Sequence, residues 1–187
     1  MDALLQLPCW HVVHLLKGTS RWSIETNTTP IIFGGYAAAL NVRLGERRRI
    51  GVLAGVAGNA DFSPFIVDVI KPRNSGLDWT VRQAYVVAID YYLDPTAASG
   101  WYVGQFNFVF ENEVERGGER ARFTTHTPLV RAGYKWYPLR ENWLYLSPWA
   151  GIGTEYQWGA DSRAAGGKQW RTSGFAYFGS LNVGVTL

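Results

Sequence analysis

The chain has 187 residues, 15 % aromatic and only 18 % charged, which is the length of one domain and a composition that excludes disorder and a collagen-like repeat. Its formal net charge of +3 comes from 18 basic and 15 acidic residues mixed along the chain, so there is no tail or stripe for nucleic acid. Cys9 stands alone, which excludes a disulfide scaffold, and the longest apolar run, Pro30–Leu40, is too short to be a membrane helix.

Residues 1–20 read as an N-terminal segment, either a helix or an extra strand, ahead of a single domain at 21–187. Met1–Lys17 does not read as an export signal. Asp2 stands where positive charge is expected, Pro8 interrupts the apolar stretch, and no small-residue cleavage site follows, so a leader is absent or export proceeds otherwise. His11 and His14 lie near Cys9, but without a carboxylate they make a poor closed site, and no metal or cofactor is assigned.

From Trp22 the pattern has period two. Ile32, Tyr36, Ala38, Leu40, Val42 and Leu44 oppose Glu25, Asn27, Asn41 and Arg43, and a second run covers Arg49–Asn59. The link from Asp61 to Asp78 contains FSPFIVDVIKP. There Ser63 and Pro64 open a predicted short helix with Phe65, Ile66, Val69 and Ile70 on one side. Trp79–Leu93 sets Trp79, Val81, Tyr85, Val87, Ile89 and Tyr91 against Thr80, Arg82, Ala84, Ala88 and Asp90. Trp101–Val114 sets Tyr102, Phe106, Phe108 and Phe110 against Gln105, Asn107, Glu111 and Glu113. Arg120–Tyr137, Asn142–Trp158 and Trp170–Leu187 follow the same rule, separated by the turns DPTAASG, RGGE and PLREN. Seven strands are clear. An eighth comes from a break at Thr28-Thr29-Pro30 or from Trp10–Leu16.

The strands are long enough to cross a bilayer at a tilt. One face is bulky and aromatic, while the other is rich in Gly, Ala and Ser with isolated charges, as suits a narrow lumen. Those charges nearly balance: Glu25, Asp90, Glu111, Glu113 and Glu155 against Arg43, Arg82, Arg131 and Lys135, so that they pair inside. Phe106 and Phe108 are thereby assigned to lipid. Tyr91, Tyr92, Trp101 and Tyr102 flank one turn, and Tyr134, Trp136, Tyr137, Trp143 and Tyr145 flank another, as in an interfacial girdle. The expectation is an all-β fold: a closed antiparallel up-and-down transmembrane β-barrel, most readily of eight strands, with a short helix in the 61–78 loop.

The stretches IETNTTPIIFGGYAAALNVRL, GWYVGQFNFVF, VRAGYKWYPL and LYLSPWAGIGTEY resemble those of uncharacterised small outer-membrane β-barrel proteins of Gram-negative bacteria. The resemblance runs from Ile24 to Leu187, and its motifs are strand-and-turn patterns. It implies a bacterial outer-membrane location, assembly by the barrel-assembly machinery and no established activity. The chain departs from the commonest pattern by ending in Leu187 where a terminal aromatic is usual.

Chemistry is sparse. His126 lies among Thr124, Thr125 and Thr127, but by parity it sits apart from the lumen carboxylates and has no group to orient it as a general base. Glu111 and Glu113 share a face and read as paired lumen charges. GVLAGVAGN and AGIGTEY lack the lysine of a phosphate loop. Arg116, Arg120 and Arg122 fall at the outer rim beside RGGE, where guanidinium groups suit the phosphates of lipopolysaccharide. The leading expectation is a monomeric, non-enzymatic membrane barrel whose partners are membrane lipids. A lipid-modifying barrel enzyme and a soluble lipocalin-like barrel for an apolar ligand are the alternatives.

Overall fold

Asn27 ends the first run of alternation. Its carboxamide accepts a hydrogen bond from Thr29 N at 2.9 Å and starts a short helix, α1 (Thr28–Ile32), between β1 (Trp22–Asn27) and β2 (Tyr36–Leu44). The break at Thr28-Thr29-Pro30 is therefore what divides the first segment into two strands. The structure is a computed structural model that describes residues 22–44, 49–94, 99–139, 143–158, 164–172 and 174–187. The expected N-terminal helix or strand, with Cys9, His11 and His14, lies outside the described residues.

The chain continues through β3 (Ile50–Phe62), α2 (Pro64–Ile70), β4 (Asp78–Tyr92), β5 (Gly100–Arg116), β6 (Glu119–Lys135) and β7 (Leu144–Gly153). It then forms β8 (Tyr156–Trp158), a small hairpin of β9 (Ala164–Ala165) and β10 (Lys168–Gln169), and β11 (Ala176–Thr186). Each wall strand pairs antiparallel with the next. β7 and β8 both pair with β6, so they are one wall strand interrupted at Thr154–Glu155. β1 pairs with β11 and closes the circle, giving an eight-stranded antiparallel barrel.

At RGGE, Gly117 and Gly118 have φ of 60° and 83°, the left-handed pair that a tight hairpin between Arg116 and Glu119 requires. In α2, Ser63 occupies the cap position without a side-chain hydrogen bond, and Val67 is the residue that reaches the core. Ile70 is exposed, and the side chains of Phe65 and Val69 lie outside the described ones.

Inside and outside follow the pleat, with two departures from the expected faces. On β4 a bulge between Val81 and Gln83 makes Arg82 an extra residue and shifts the parity above it. Trp79 and Val81 therefore point inward together with Ala84, Ala88, Asp90 and Tyr92, while Tyr85, Val87 and Ile89 point out. On β5 the faces are reversed from expectation. Tyr102, Phe106, Asn112 and Val114 are buried, and Phe106, Phe108 and Phe110 line the interior. The reason is complementary volume. The facing positions on β2, β3 and β4 are Ala39, Ala57, Ala84 and Ala88, which leave room that only large side chains of β5 can fill.

The outward residues form an apolar band that includes Leu40, Val87, Ile89, Val103, Val130 and Ile152. Exposed rings border it on both sides: Trp22, Tyr91, Trp101, Trp136 and Trp143 at the end where β2 leads to β3, β4 to β5 and β6 to β7, and Tyr36, Tyr85, Tyr156, Trp158 and Tyr177 at the other. Along β4 the rings of Tyr85 and Tyr91 are about 20 Å apart at roughly 3.3 Å per residue. No helix of the described residues is long and apolar enough to cross a membrane.

Candidate functional site

The barrel interior is built in three tiers. The lowest is a polar plug. Arg131 of β6 donates to Asp90 of β4 twice, Nε to Oδ1 at 2.9 Å and Nη2 to Oδ2 at 2.6 Å. The guanidinium also lies 4.0 Å from the Phe106 ring centre. Glu25 accepts from the Tyr145 hydroxyl and from Asn182 Nδ2, both at 2.8 Å. Lys135 Nζ sits 3.5 Å from the Tyr145 ring centre, and Arg43 stacks 3.8 Å over Tyr92. Tyr102 and Ser147 share a hydrogen bond at 3.0 Å. These groups fill the cross-section with paired or ring-stacked charge, as burial requires.

The top tier is an apolar cap. Trp170 is buried against Trp79 and Phe123, with ring centres 5.4 and 5.6 Å apart, and Val67 and Leu77 pack into the same cluster. Lys71 runs beneath, 5.4 Å from both the Trp79 and Trp170 rings, to an ion pair with Glu155 at 2.8 Å. The loops that follow β3 and β8 therefore close the mouth.

Between plug and cap lies a cavity of about 130 Å³, close in size to the apolar cavities of about 150 Å³ that stay dry and take benzene. Phe106, Phe108, Phe110, Trp149 and Phe178 form one wall. Ala39, Ala57, Gly58 and Ala84 form the opposite one. The aromatic wall is self-supporting, with Phe108 stacked on Phe110 at 4.9 Å and packed on Phe178 at 5.7 Å.

Of the nine charges expected in the lumen, Glu25, Arg43, Asp90, Arg131 and Lys135 meet in the plug. Glu155 is also buried, but it pairs with Lys71 under the cap. Arg82, Glu111 and Glu113 lie on the outward parity, Arg82 because of the bulge and the two glutamates because β5 turns its aromatic face inward, although Glu113 is itself buried, beneath the arginines that surround it. Glu111 is exposed and makes no ion pair among the described residues. Glu113 instead gathers the rim arginines: Arg122 Nε at 2.6 Å, Arg82 Nη1 at 3.4 Å and Arg120 Nη1 at 3.9 Å. Arg120 also bonds Glu115 at 2.7 Å. The hydrogen bond from Arg122, with the positive charge of its neighbours, holds the Glu113 carboxyl below the usual range. Arg116 packs beside Gly166 instead of joining this cluster. His126 lies on the outer wall, its ring 6.3 Å from Trp158, with no carboxylate partner among the described residues.

Lys71, the Tyr102 hydroxyl and the Phe106–Phe110 wall are the interior groups that the expected faces missed. The signal for the last was the alanine-rich YAAAL of β2, a surface that needs large neighbours.

The backbone is similar to a solved structure, the N-terminal β-barrel domain of Pseudomonas aeruginosa OprF, with a TM-score of 0.53 and 12 % identity over 89 % of this chain and 96 % of that one. At that identity the likeness concerns the fold, which is that of a small outer-membrane barrel. No family model and no curated protein matches the sequence.

Proposed function

We propose that this chain is an integral outer-membrane barrel with a structural and ligand-binding role, closed along its axis to diffusion. The observation that carries this reading is the outward apolar band between two belts of exposed rings. Water would leave such a surface uncovered, whereas a bilayer covers its centre with hydrocarbon and its borders with headgroups. Gln105 and Asn107 interrupt the band on β5. They are neutral, and a neutral amide costs far less in hydrocarbon than a charge. The likeness to an outer-membrane barrel domain supports the same kind of location. The proposal adds a Gram-negative envelope, the barrel-assembly machinery as a partner in biogenesis and a monomer as the working form. The expected test result is that the protein fractionates with washed outer membranes and stays dispersed only in detergent. A monodisperse aqueous preparation without detergent overturns the reading.

The rim extends it. Arg82, Arg120 and Arg122 are roughly half to two-thirds exposed and share only Glu113 and Glu115, so donor groups remain free for phosphate of lipopolysaccharide. Replacing Arg120 and Arg122 by Ser should lower bound lipopolysaccharide without altering the fold. Equal retention by the variant and parent removes the rim from the proposal.

A further inference from the structure

The apolar cavity is shut off above by the Trp79–Trp170–Phe123 cap and below by the Asp90–Arg131 plug, so an axial route to it is blocked. The wall beside it is incomplete. β1 stops at Asn27, which pairs with Asn182, and Thr26 Oγ1 donates to Ala37 O at 2.7 Å; beyond these contacts β11 continues upward to Ala176 and β2 to Tyr36 without a β1 residue between them. This leaves a notch in the upper wall between β2 and β11. The helix α1 lies across it, with Thr29 and Pro30 lining the cavity and Ile31 and Ile32 exposed. Ala38 and Val56, which face outward, also border the cavity. It therefore reaches the outer surface at the level of the upper belt.

The strap is anchored at its far end, where Asp61 N donates to Phe33 O at 2.9 Å and the Phe33 ring lies 4.5 Å from Phe62, and it is held to β11 by hydroxyl and amide groups. The Thr29 and Ser180 hydroxyl groups meet at 2.7 Å, and Ser180 donates to Asn27 at 2.8 Å. At the far end Gly34, with φ of 78°, makes the left-handed turn that returns the chain to β2, so the strap can lift only from its Thr29 end.

From this arrangement we infer that the cavity is a side-opening pocket for the end of one hydrocarbon chain of a membrane lipid, admitted under α1 from the leaflet at the upper belt. The lining is mainly apolar, which selects a chain end over a headgroup. The polar lining groups, Glu25, Asn27, Thr29, Ser180 and Asn182, gather at the notch, where Asn182 accepts from Trp149 Nε1 at 3.2 Å and the chain turns from the bilayer into the barrel. The volume suits a terminal segment and not a whole diacyl lipid. The inference rests on the membrane reading above.

The test uses the full chain reconstituted in phosphatidylcholine vesicles containing phosphatidylcholine with a diazirine at the end of one palmitoyl chain. Light-induced adducts are mapped by mass spectrometry. Adducts on Phe106, Phe108, Phe178 or Trp149 are expected beside adducts on outer-wall residues such as Val87 and Ile152. In a Cys9→Ser background, Thr29→Cys with Ser180→Cys ties the strap to β11. The interior adducts should be lost on oxidation and return on reduction. Ala84→Leu, which fills the cavity without touching the strap, should also lose them while keeping those on the wall. Interior adducts that persist with the strap tied overturn the side route, and wall adducts with no interior ones overturn the pocket. Absence of both from protein that remains in the aqueous phase overturns the membrane reading itself.

Discussion

Asp90 and Arg131 reach each other across Gly104, the residue of β5 that stands between them in register on both sides. A Cβ on Gly104 would run into the Asp90 carboxylate, so the ion pair and the glycine are one construction. Removing one charge strands the other in a buried site. Arg131→Ala should destabilise the barrel by about 3–5 kcal/mol, less where water enters the lumen, whereas an exposed pair costs about 0–1 kcal/mol. Equilibrium unfolding in detergent checks this, and unchanged unfolding counts against the pairing.

The reversed face of β5 makes a sharp contrast with its neighbour. Val87 points outward and Phe108 inward. Val87→Arg should cost about 2–4 kcal/mol if its site is near the bilayer midplane, through loss of hydrocarbon contact. Phe108→Ala should cost roughly 3–5 kcal/mol by enlarging an existing void. Folding into vesicles against urea measures both. Val87→Arg should recover in detergent micelles that tolerate surface charge, and Phe108→Ala should not.

Gly184 lies under the Tyr145 ring and Gly133 under Tyr102. A methyl group at either position meets an aromatic ring that is itself hydrogen-bonded, Tyr145 to Glu25 and Tyr102 to Ser147. Gly184→Ala should lose about 1–3 kcal/mol by overpacking. Pairing it with Tyr145→Leu should return part of the loss, and a strictly additive double variant would show that the two do not interact.

Acid should loosen the rim. Because Glu113 has a lowered folded-state pKa, its contribution is fully present above the unfolded carboxyl pKa and disappears as pH falls through the folded one. The arginines around it are well exposed, so salt should weaken the effect. Glu113→Gln should flatten the acid limb of the stability profile in low salt. The parent and variant curves should converge at high salt.

Alternation alone makes most of the wall legible, because each pleat exposes one face. Parity places Glu25, Arg43, Asp90, Arg131 and Lys135 in the interior for the same reason. It fails where chemistry and geometry part company. Bulk and aromaticity on one face of β5 look like a lipid surface, yet the alanines of β2, β3 and β4 turn that face into a core. Residue types cannot reveal the bulge at Arg82, since it leaves the local composition unchanged while inverting everything above it. The Lys71–Glu155 contact joins the loop after α2 to the interruption between β7 and β8, and their proximity exists only once the barrel has closed.

An eight-stranded ring has nearly constant girth, so its interior volume per layer is a fixed sum shared among facing residues. Tyr145 over Gly184, Tyr102 over Gly133 and Tyr92 over Gly51 each divide that sum as one large and one absent side chain. Such positions cannot drift independently. In related sequences a smaller residue replacing one of these tyrosines should arrive with a larger one at the glycine below it. The barrel's history would then be written as paired exchanges, detectable as correlated columns, even where no ligand or activity is under selection.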